Sequence, residues 1–487
     1  MENISKESFN RIISLGVKLA AERDMNRLLD TILTEAMAIT NCDAGTLYLL
    51  KDNHLHFTIL RNHTLDVFQG GEGDKVDLPP LELHETNVAA YVTIHRRMEN
   101  IPDVYNSDKF DFSGPCRYDQ LTGYRTRSML VIPLLNNRDE IVGTLQLINA
   151  MDEEGQFIPF DPGFEEIFRS VSSLAAIAVT NMRFAEENKT LFQSMIEVLA
   201  AAIDERSNYN ANHTRQVAEL TLGFVDFLNQ KHEEGFTDIH FSTEAKEQVV
   251  MAAWLHDVGK IITPLEIMDK STRLGNRVDL VELRFETILT AERIRYLDGE
   301  ISKEEYETLA TEIMAAKELC LKANTGAPTS DDELVLIKSY GERVCELPSG
   351  LMINWLTDDE IECLALNYGT LTANERKIME QHVNITERLL KKIKFSSQYI
   401  NVPLYATGHH EKLNGRGYPY GKAATDLPLG TRILTILDVF EALTAKDRPY
   451  KKPMPLTMAF EIIDKMVAAG EIDGELVGWL KQWKGTE

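Results

Sequence analysis

Five histidines in the second half of the chain have surroundings that suggest a shared role: His213, His256, His382, His409 and His410. Two of them, His213 and His382, fall on the apolar face of a predicted helix. A single histidine on such a face is most often a hydrogen-bonded core residue. Five together favour metal binding, because neutral imidazole is a common metal ligand.

Two aspartates lie in equally apolar surroundings. Asp257 follows His256 at the end of the apolar segment 249–255, and Asp438 lies within the largely aliphatic segment 432–443. Burying an unpaired carboxylate costs free energy, which a divalent cation removes by binding carboxylate oxygen and histidine nitrogen together. For Asp438, a salt bridge to Arg432 or to another basic residue is the alternative interpretation.

A glycine-dense loop follows the paired histidines. His409 and His410 are succeeded by Glu411 and then by the segment 414–421, which reads Asn-Gly-Arg-Gly-Tyr-Pro-Tyr-Gly. Such a loop can turn sharply beside the imidazoles. A set of five histidines and two aspartates with few thiols nearby favours iron, manganese, nickel or zinc held by nitrogen and oxygen, rather than a thiolate zinc site.

The elements that must position these residues are predominantly helical. Nearly every segment beyond Ala200 has helical periodicity, which predicts an all-α second domain. A capping box formed by Thr372 and Glu375 begins the helix that carries His382. Residues 275–368 are rich in charge and contain no motif of chemical interest, so we interpret them as a helical insertion. Both of its ends flank candidate ligands, so a gate beside the site and a passive excursion are both plausible.

The first part of the chain has a different pattern. Residues 8–40 predict two helices, and four β-like runs follow at 45–50, 55–60, 128–134 and 141–148. The last two are separated by a turn-forming stretch at 136–140. We therefore expect an α+β chain of two domains, in which helices on an antiparallel sheet precede the all-α domain.

Between the two domains, apolar residues recur at alternating spacings of four and three from Phe164 to Leu199. Such a heptad pattern predicts a continuous helix that pairs with its copy in a parallel homodimer, with Phe192 and Ile196 as central contacts. The alternative has equal weight: the front half packs on the preceding sheet and the back half in the following core.

Composition indicates which partners and which cellular compartment the protein has. The 487 residues contain 51 Lys+Arg and 76 Asp+Glu, a net charge of −25 that repels nucleic acid polymers and anionic lipid. Five dispersed cysteines form no C-x-x-C pair and indicate a reducing compartment. No signal peptide or membrane-spanning run is evident. We expect a cytoplasmic protein with no nucleic acid or membrane partner.

Two motifs resemble those of a known family. His256-Asp257-Val-Gly-Lys260 and His409-His410-Glu411-x-x-Asn414-Gly-x-Gly417-Tyr418-Pro419 are similar to the signatures of HD-GYP proteins, HD-fold phosphohydrolases that cleave cyclic dinucleotides. This resemblance covers about residues 190–274 and 369–455. Residues 8–185 resemble a GAF domain, a module for small-molecule binding or dimerisation, through their helix–strand pattern and the segments 126–134 and 142–149.

The resemblance implies a role for each matching residue. Asp257 and Lys260 would be catalytic, Lys260 facing the substrate phosphate, with Arg448 and Lys451 as further substrate contacts or, alternatively, solvated surface charges. Tyr209 has no counterpart in the family pattern, and we expect its phenol to hydrogen-bond substrate or a metal-bound water. Glu411, Asn414 and Tyr418 would surround the metal ligands without binding metal. The implied ligands of two divalent metals, iron or manganese with nickel or zinc as alternatives, are His213, His256, Asp257, His382, His409, His410 and Asp438.

Two positions depart from the family pattern. Some HD-GYP enzymes have a glutamate four residues before the first ligand histidine, which supplies a third metal, and here that residue is Tyr209. A neutral phenol is a poor ligand, so we expect a dinuclear site. The usual aspartate of the second motif is Asn414, which retains hydrogen bonding but removes a charge.

The resemblance implies a phosphodiesterase that converts cyclic di-GMP or cyclic GMP-AMP to a linear dinucleotide. Its divisions would be a GAF-like sensory and dimerisation domain at 8–185, a connecting signalling helix at 164–205 and an HD-GYP domain at 190–487. The alternative is a catalytically silent receptor that signals through the helix of a homodimer. A different HD phosphohydrolase is disfavoured by the Gly-Tyr-Pro loop.

Overall fold

The computed structural model describes residues 6–207, 212–326, 328–445 and 453–485. It divides into two compact units, Met1–Leu191 and Phe192–Glu487. Three residues singled out from the sequence, Tyr209, Arg448 and Lys451, lie outside the described residues. Among the described helices, none combines the length and the apolar character that crossing a membrane requires.

The first unit consists of helices and one antiparallel sheet with the strand order β3-β2-β1-β7-β6-β5, in which β4 also pairs with β2 and β8 with β7. Its helices are α1 (Lys6–Ala21), α2 (Met25–Thr40), α3 (Val88–His95) and α4 (Ser113–Thr122). Its strands are β1 (Cys42–Lys51), β2 (His54–Asn62), β3 (Val67–Gln69), β4 (Leu81–Glu82), β5 (Glu99–Ile101), β6 (Met129–Leu135), β7 (Ile141–Met151) and β8 (Phe157–Ile158).

The four β-like runs of the sequence correspond to β1, β2, β6 and β7. These strands are long because their alternating or continuous apolar residues pack against helices, as Leu47 and Leu145 do against Leu33 of α2 in one core cluster. The four strands that the sequence did not predict are only two or three residues long. The expected sheet covered by helices is confirmed.

A single long helix, α5 (Phe164–Asp204), follows the sheet. Phe168, Val171 and Ala175 are buried in the core of the first unit, whereas Ile196 is buried in a core cluster of the second. The prediction that Ile196 is a central contact with another subunit is therefore wrong, because it is only 4% exposed within its own chain. Several large apolar side chains on α5 are exposed, and only Leu199 among them belongs to the predicted seam: Leu174, Phe184, Leu191, Met195, Val198 and Leu199.

The second unit is helical, which confirms the expected fold class, and adds one short hairpin of β9 (Val344–Glu346) and β10 (Met352–Asn354). Its helices before the hairpin are α6 (His213–Glu233), α7 (Thr243–Leu255), α8 (Leu265–Met268), α9 (Val278–Leu297), α10 (Lys303–Asn324) and α11 (Asp331–Gly341). Those after it are α12 (Asp358–Leu364), α13 (Ala373–Leu390), α14 (Val402–Thr407), α15 (Leu429–Thr444), α16 (Leu456–Ala468) and α17 (Gly474–Lys484).

Residues 275–364 have an apolar core of their own, in which Phe285 of α9, Ile313 of α10 and Trp355 are buried together. Arg273 lies just before this segment, and its side chain is fully buried. Its guanidinium donates to the carbonyls of Leu364 at 3.1 Å and Gly369 at 3.3 Å. This arginine thus joins the two ends of the segment that the sequence marked as an insertion.

We expect Arg273→Ala to destabilise the second unit by about 3 kcal/mol, because it leaves buried carbonyl groups without a donor. The free energy of unfolding from urea titrations measures the effect. Arg293→Ala, which removes an exposed arginine of α9, is the control. A loss below about 0.5 kcal/mol, the range of ordinary surface substitutions, would contradict the role given to Arg273.

Candidate metal centre

The seven ligand residues predicted from the sequence lie together in the second unit. They come from the start of α6 (His213), the end of α7 and the turn after it (His256 and Asp257), the middle of α13, the residues after α14, and α15. His256, His382 and His409 are at most 1% exposed, and Asp257 is 3% exposed. Segments separated by the 275–364 region therefore contribute to one buried polar cluster.

Three of the imidazoles are oriented in the same way. The Nδ1 atoms of His256, His382 and His409 each lie 2.6 Å from the backbone carbonyl oxygen of the residue three positions earlier: Ala253, Met379 and Ala406. A carbonyl can only accept a hydrogen bond, so each Nδ1 carries the proton. Each Nε2 consequently presents its lone pair to the centre of the cluster.

The carboxylate of Asp257 lies at that centre. Its Oδ1 is 3.4 Å from Nε2 of His382 and 3.9 Å from Nε2 of His409. Its Oδ2 is 3.3 Å from Nε2 of His256 and 3.5 Å from Nε2 of His213. The two oxygens of one carboxylate thus face two different pairs of histidines.

Asp438 belongs to one of these two halves. Its Oδ1 is 3.1 Å from Nε2 of His213 and 3.8 Å from Nε2 of His256. Arg432 instead donates to Asp473 at 3.1 Å and to two backbone carbonyls. A salt bridge between Asp438 and Arg432 is therefore wrong, and the basic group nearest to this carboxylate is the imidazole of His213.

Several buried polar atoms of the cluster have no hydrogen-bond partner in the described part of the chain: Nε2 of His256, His382 and His409, and Oδ1 of Asp257. Such groups are rare in folded proteins, because each costs desolvation free energy. Divalent metal binding satisfies them. Two separate triads have ligand atoms within 4.8 Å of one another: His382, His409 and His410, and His213, His256 and Asp438.

The histidines of the first triad are suited to be neutral ligands. Burial lowers the pKa of His382, lowers that of His409 well below its usual value and lowers that of His410 to about 3. In the second triad, burial disfavours charge on His213, yet hydrogen bonds with Asp257, Asp438 and Glu441 raise its pKa well above the usual value. The carboxylates on that side thus attract positive charge, which a metal cation can supply.

The glycine-rich loop is shaped by Glu411, a buried carboxylate that accepts hydrogen bonds from the backbone amides of Tyr420 at 2.8 Å and Lys422 at 2.9 Å. Gly417 approaches so closely that a Cβ atom there would lie 2.4 Å from the nitrogen of Lys412. The loop brings the ring of Tyr418 to 4.7 Å from that of His410, measured between centroids. Tyr418 therefore covers one side of the cluster.

Asn414 differs from the expectation that it would surround the ligands. It is exposed, its Nδ2 donates to the carbonyl of Ala469 at 3.1 Å, and its Oδ1 accepts from the amide of Arg416 at 3.0 Å. It therefore stabilises the conformation of the loop. Lys260 lies within the cluster, where its Nζ forms an ion pair with Oδ2 of Asp257.

Sequence reasoning missed two residues that position ligands. Glu441 accepts a hydrogen bond from Nδ1 of His213, and Thr386 donates to the carbonyl of His256 at 3.0 Å. Thr386 also accepts from the amide of Gly259 at 2.9 Å, where a Cβ would lie 1.9 Å from the carbonyl of His382. Glu441 could have been found from its spacing, since it lies one helical turn after Asp438.

Two family models match the chain: the GAF domain over residues 24–179 and the HD domain over residues 359–476. The chain therefore carries an N-terminal GAF domain and a C-terminal HD domain, which confirms both domain types implied by the motifs. The HD match contains His382, His409, His410 and Asp438. His213, His256 and Asp257 lie before it and join the same cluster across the intervening helical segment.

Two bacterial phosphodiesterases are among the similar proteins. A 3'3'-cGAMP-specific phosphodiesterase 3 from Vibrio cholerae is 37% identical over 114 residues, 23% of this chain and 24% of that protein. A cyclic di-GMP phosphodiesterase from Thermotoga maritima is 35% identical over 103 residues, 21% of this chain and 27% of that protein. The chain thus matches about a quarter of the length of these two relatives.

Two further similarities are more distant. A cGMP-specific 3',5'-cyclic phosphodiesterase from Drosophila melanogaster is 24% identical over 212 residues, 41% of this chain and 18% of that protein. The GAF domain of an Acinetobacter phosphoenolpyruvate-protein phosphotransferase matches at 13% identity and a TM-score of 0.29, over 38% of this chain and 99% of that one. The GAF domain is identified by the family model over residues 24–179.

We expect Glu441→Ala to weaken metal binding by about 10- to 100-fold, because His213 loses the carboxylate that fixes its orientation. Glu441→Gln, which retains an acceptor oxygen, should lose less. Calorimetric titration of chelator-treated protein with Mn²⁺ measures the affinity, and Glu461→Ala on the exposed face of α16 is the control. Unchanged affinity in Glu441→Ala would show that His213 needs no such partner.

Proposed function

We propose that this protein is a metal-dependent phosphodiesterase that hydrolyses a cyclic dinucleotide to a linear dinucleotide. The observation that carries the proposal is the buried cluster in which four histidines surround the two oxygens of Asp257, with His410 beside His382 and His409. Such a buried nitrogen and oxygen donor set is suited to hydrolytic metals rather than to a structural role.

Two metals fit the division of the cluster. His213, His256 and Asp438 would hold one, and His382, His409 and His410 the other. Asp257 would bridge them, one oxygen to each. The mixture of imidazole and carboxylate suits iron or manganese, with nickel or zinc as alternatives. When bound, such metals supply Lewis acidity toward a phosphodiester and an activated water.

The chain's own residues would orient the substrate. Lys260 places a positive charge beside Asp257, where it would stabilise negative charge on a phosphate oxygen as the phosphodiester reacts. Tyr418 would limit access of water and of the substrate on the side of His410. A dianionic substrate requires such local positive charge, because the whole chain carries a net charge of −25.

The names of the two bacterial relatives support a cyclic dinucleotide as the substrate, either cyclic di-GMP or cyclic GMP-AMP. The retention of all seven ligand residues together with Lys260 favours an enzyme over a silent receptor. We further propose that a small molecule bound by the GAF domain regulates turnover.

Protein loaded with Mn²⁺ or Fe²⁺ should linearise at least one of the two cyclic dinucleotides, with the products resolved by chromatography. Cyclic GMP is a necessary third substrate, given the similarity to the Drosophila enzyme. Binding of a cyclic dinucleotide without any cleavage would support the receptor. Cleavage of cyclic GMP alone would replace the proposed substrate class.

Asp257→Ala should lose both metals and all activity, because it removes the only bridging carboxylate proposed for the site. Lys260→Ala should retain both metals and lose at least tenfold in kcat, since one charge-stabilising contact is typically worth about 10²-fold or more. Elemental analysis of the two variants separates these roles. Equal metal loss in both would contradict the substrate role of Lys260, and Lys391→Ala, on the exposed surface, is the control.

We also propose a parallel homodimer, formed through the exposed face of α5 rather than through the seam expected from the sequence. The residues Leu174, Ile177, Asn181, Phe184, Asn188, Leu191, Met195 and Val198 follow one another at alternating spacings of three and four. Most of these side chains are exposed, and no residue of the set is charged. Pairs of asparagines in such a seam favour a parallel arrangement in register, because each amide can both donate and accept.

Leu191→Glu should dissociate this dimer, because two carboxylates would face each other in the seam. Light scattering at micromolar concentration measures the mass, and Glu186→Gln, outside the seam of α5, is the control. A monomeric wild-type protein with full activity would overturn the proposed dimer.

A further inference from the structure

The end of α5 contacts two parts of the metal cluster. Asp204, the last residue of the helix, contacts the start of α6, which begins with His213. Arg206, two residues further on, contacts the turn that carries Lys260. Both contacts lie within the second unit.

Asp204 caps the N-terminus of α6, although it lies ten residues before Thr214 in the sequence. Its Oδ2 accepts from the backbone amide of Thr214 at 3.0 Å, and its Oδ1 accepts from the hydroxyl of Thr214 at 2.7 Å. The residue that precedes α6, Asn212, makes no capping hydrogen bond with its side chain. The carboxylate of α5 therefore satisfies a free amide at the N-terminus of α6, where a negative charge is also favoured by the helix dipole.

Arg206 contacts the turn that carries Lys260. Its guanidinium donates to the carbonyl of Lys260 at 2.9 Å and to that of Ile261. These carbonyls belong to the short 3-10 helix Val258–Ile262, where the carbonyl of Lys260 also accepts from the amide of Thr263 at 3.0 Å. The start of this turn packs through Val258 against a core cluster, whereas Ile261 and Ile262 at its end are 47% and 54% exposed.

The turn is thus fixed from two sides. On one side, Thr386 of α13 accepts from the amide of Gly259, and on the other, Arg206 binds the carbonyls of Lys260 and Ile261. The direction of the Lys260 side chain depends on both attachments. A displacement of the end of α5 would move one attachment while α13 retains the other.

We propose that Arg206 and Asp204 are positioning residues that couple the end of α5 to Lys260 and to His213. Arg206 sets the orientation of the Lys260 turn, and Asp204 sets the start of the helix that presents His213. Movement of α5 would thereby change turnover without altering any ligand. The catalytic consequence depends on the proposed phosphodiesterase function, whereas the structural coupling can be measured without it.

Arg206→Ala should lower kcat about tenfold and leave KM within about twofold, because misplacing a charge-stabilising group affects the reacting state more than binding. Metal content should be unchanged. Hydrogen–deuterium exchange in peptides covering 258–263 should be faster than in the wild type, by about tenfold at its most affected amides. Arg206→Lys, which can still donate to one carbonyl, should be intermediate in both measurements.

Asp204→Ala should accelerate exchange at the start of α6 and weaken Mn²⁺ binding about tenfold. The control is Glu205→Ala, which removes the exposed carboxylate between the two positions and should change none of these quantities. Wild-type exchange at 258–263 in Arg206→Ala, or unchanged Mn²⁺ affinity in Asp204→Ala, would overturn the coupling. If the wild type cleaves no cyclic dinucleotide, the proposed substrate class fails, and the exchange and metal measurements still decide the coupling.

Discussion

The burial of the Asp257 carboxylate is the constraint on which the rest of the second unit depends. At 3% exposure, its charge must be balanced by nearby positive groups, and its two oxygens face two pairs of histidines and Lys260. Histidine side chains from distant segments converge on it, and backbone carbonyls orient three of them. Each carbonyl that accepts from an Nδ1–H leaves an Nε2 without a hydrogen-bond partner in the described chain, and a bound cation would satisfy these atoms together.

This arrangement ties stability to metal binding. The cluster occupies space that apolar side chains would otherwise fill, so the metal-free second unit contains several unsatisfied polar groups. Because segments before and after residues 275–364 supply the candidate ligands, a bound metal would also link these two parts of the second unit. The buried Arg273, which joins the ends of that segment, performs a related task with backbone carbonyls instead of a metal.

Much of this was predictable from the sequence, because residue type and local spacing carry the information. The seven ligand residues and the four long strands have local patterns, and both domain types follow from motifs. Thr386 was missed because its partner His256 is more than 100 residues away, whereas Glu441 could have been predicted from its position one helical turn after Asp438. The burial of α5 fits the second interpretation of its heptad pattern, in which the front half packs in the first core and the back half in the second. The sequence could not decide between the two interpretations, because this helix has two apolar faces of similar spacing.

The central proposal for this site is that the carboxylate of Asp257 bridges two metals. Anomalous diffraction at the manganese edge, from crystals grown with Mn²⁺, tests it most directly. We expect two peaks in each chain, one beside each oxygen of Asp257, with His213, His256 and Asp438 around one and His382, His409 and His410 around the other. A single peak, a third peak of equal height, or peaks that Asp257 does not bridge would contradict the claim.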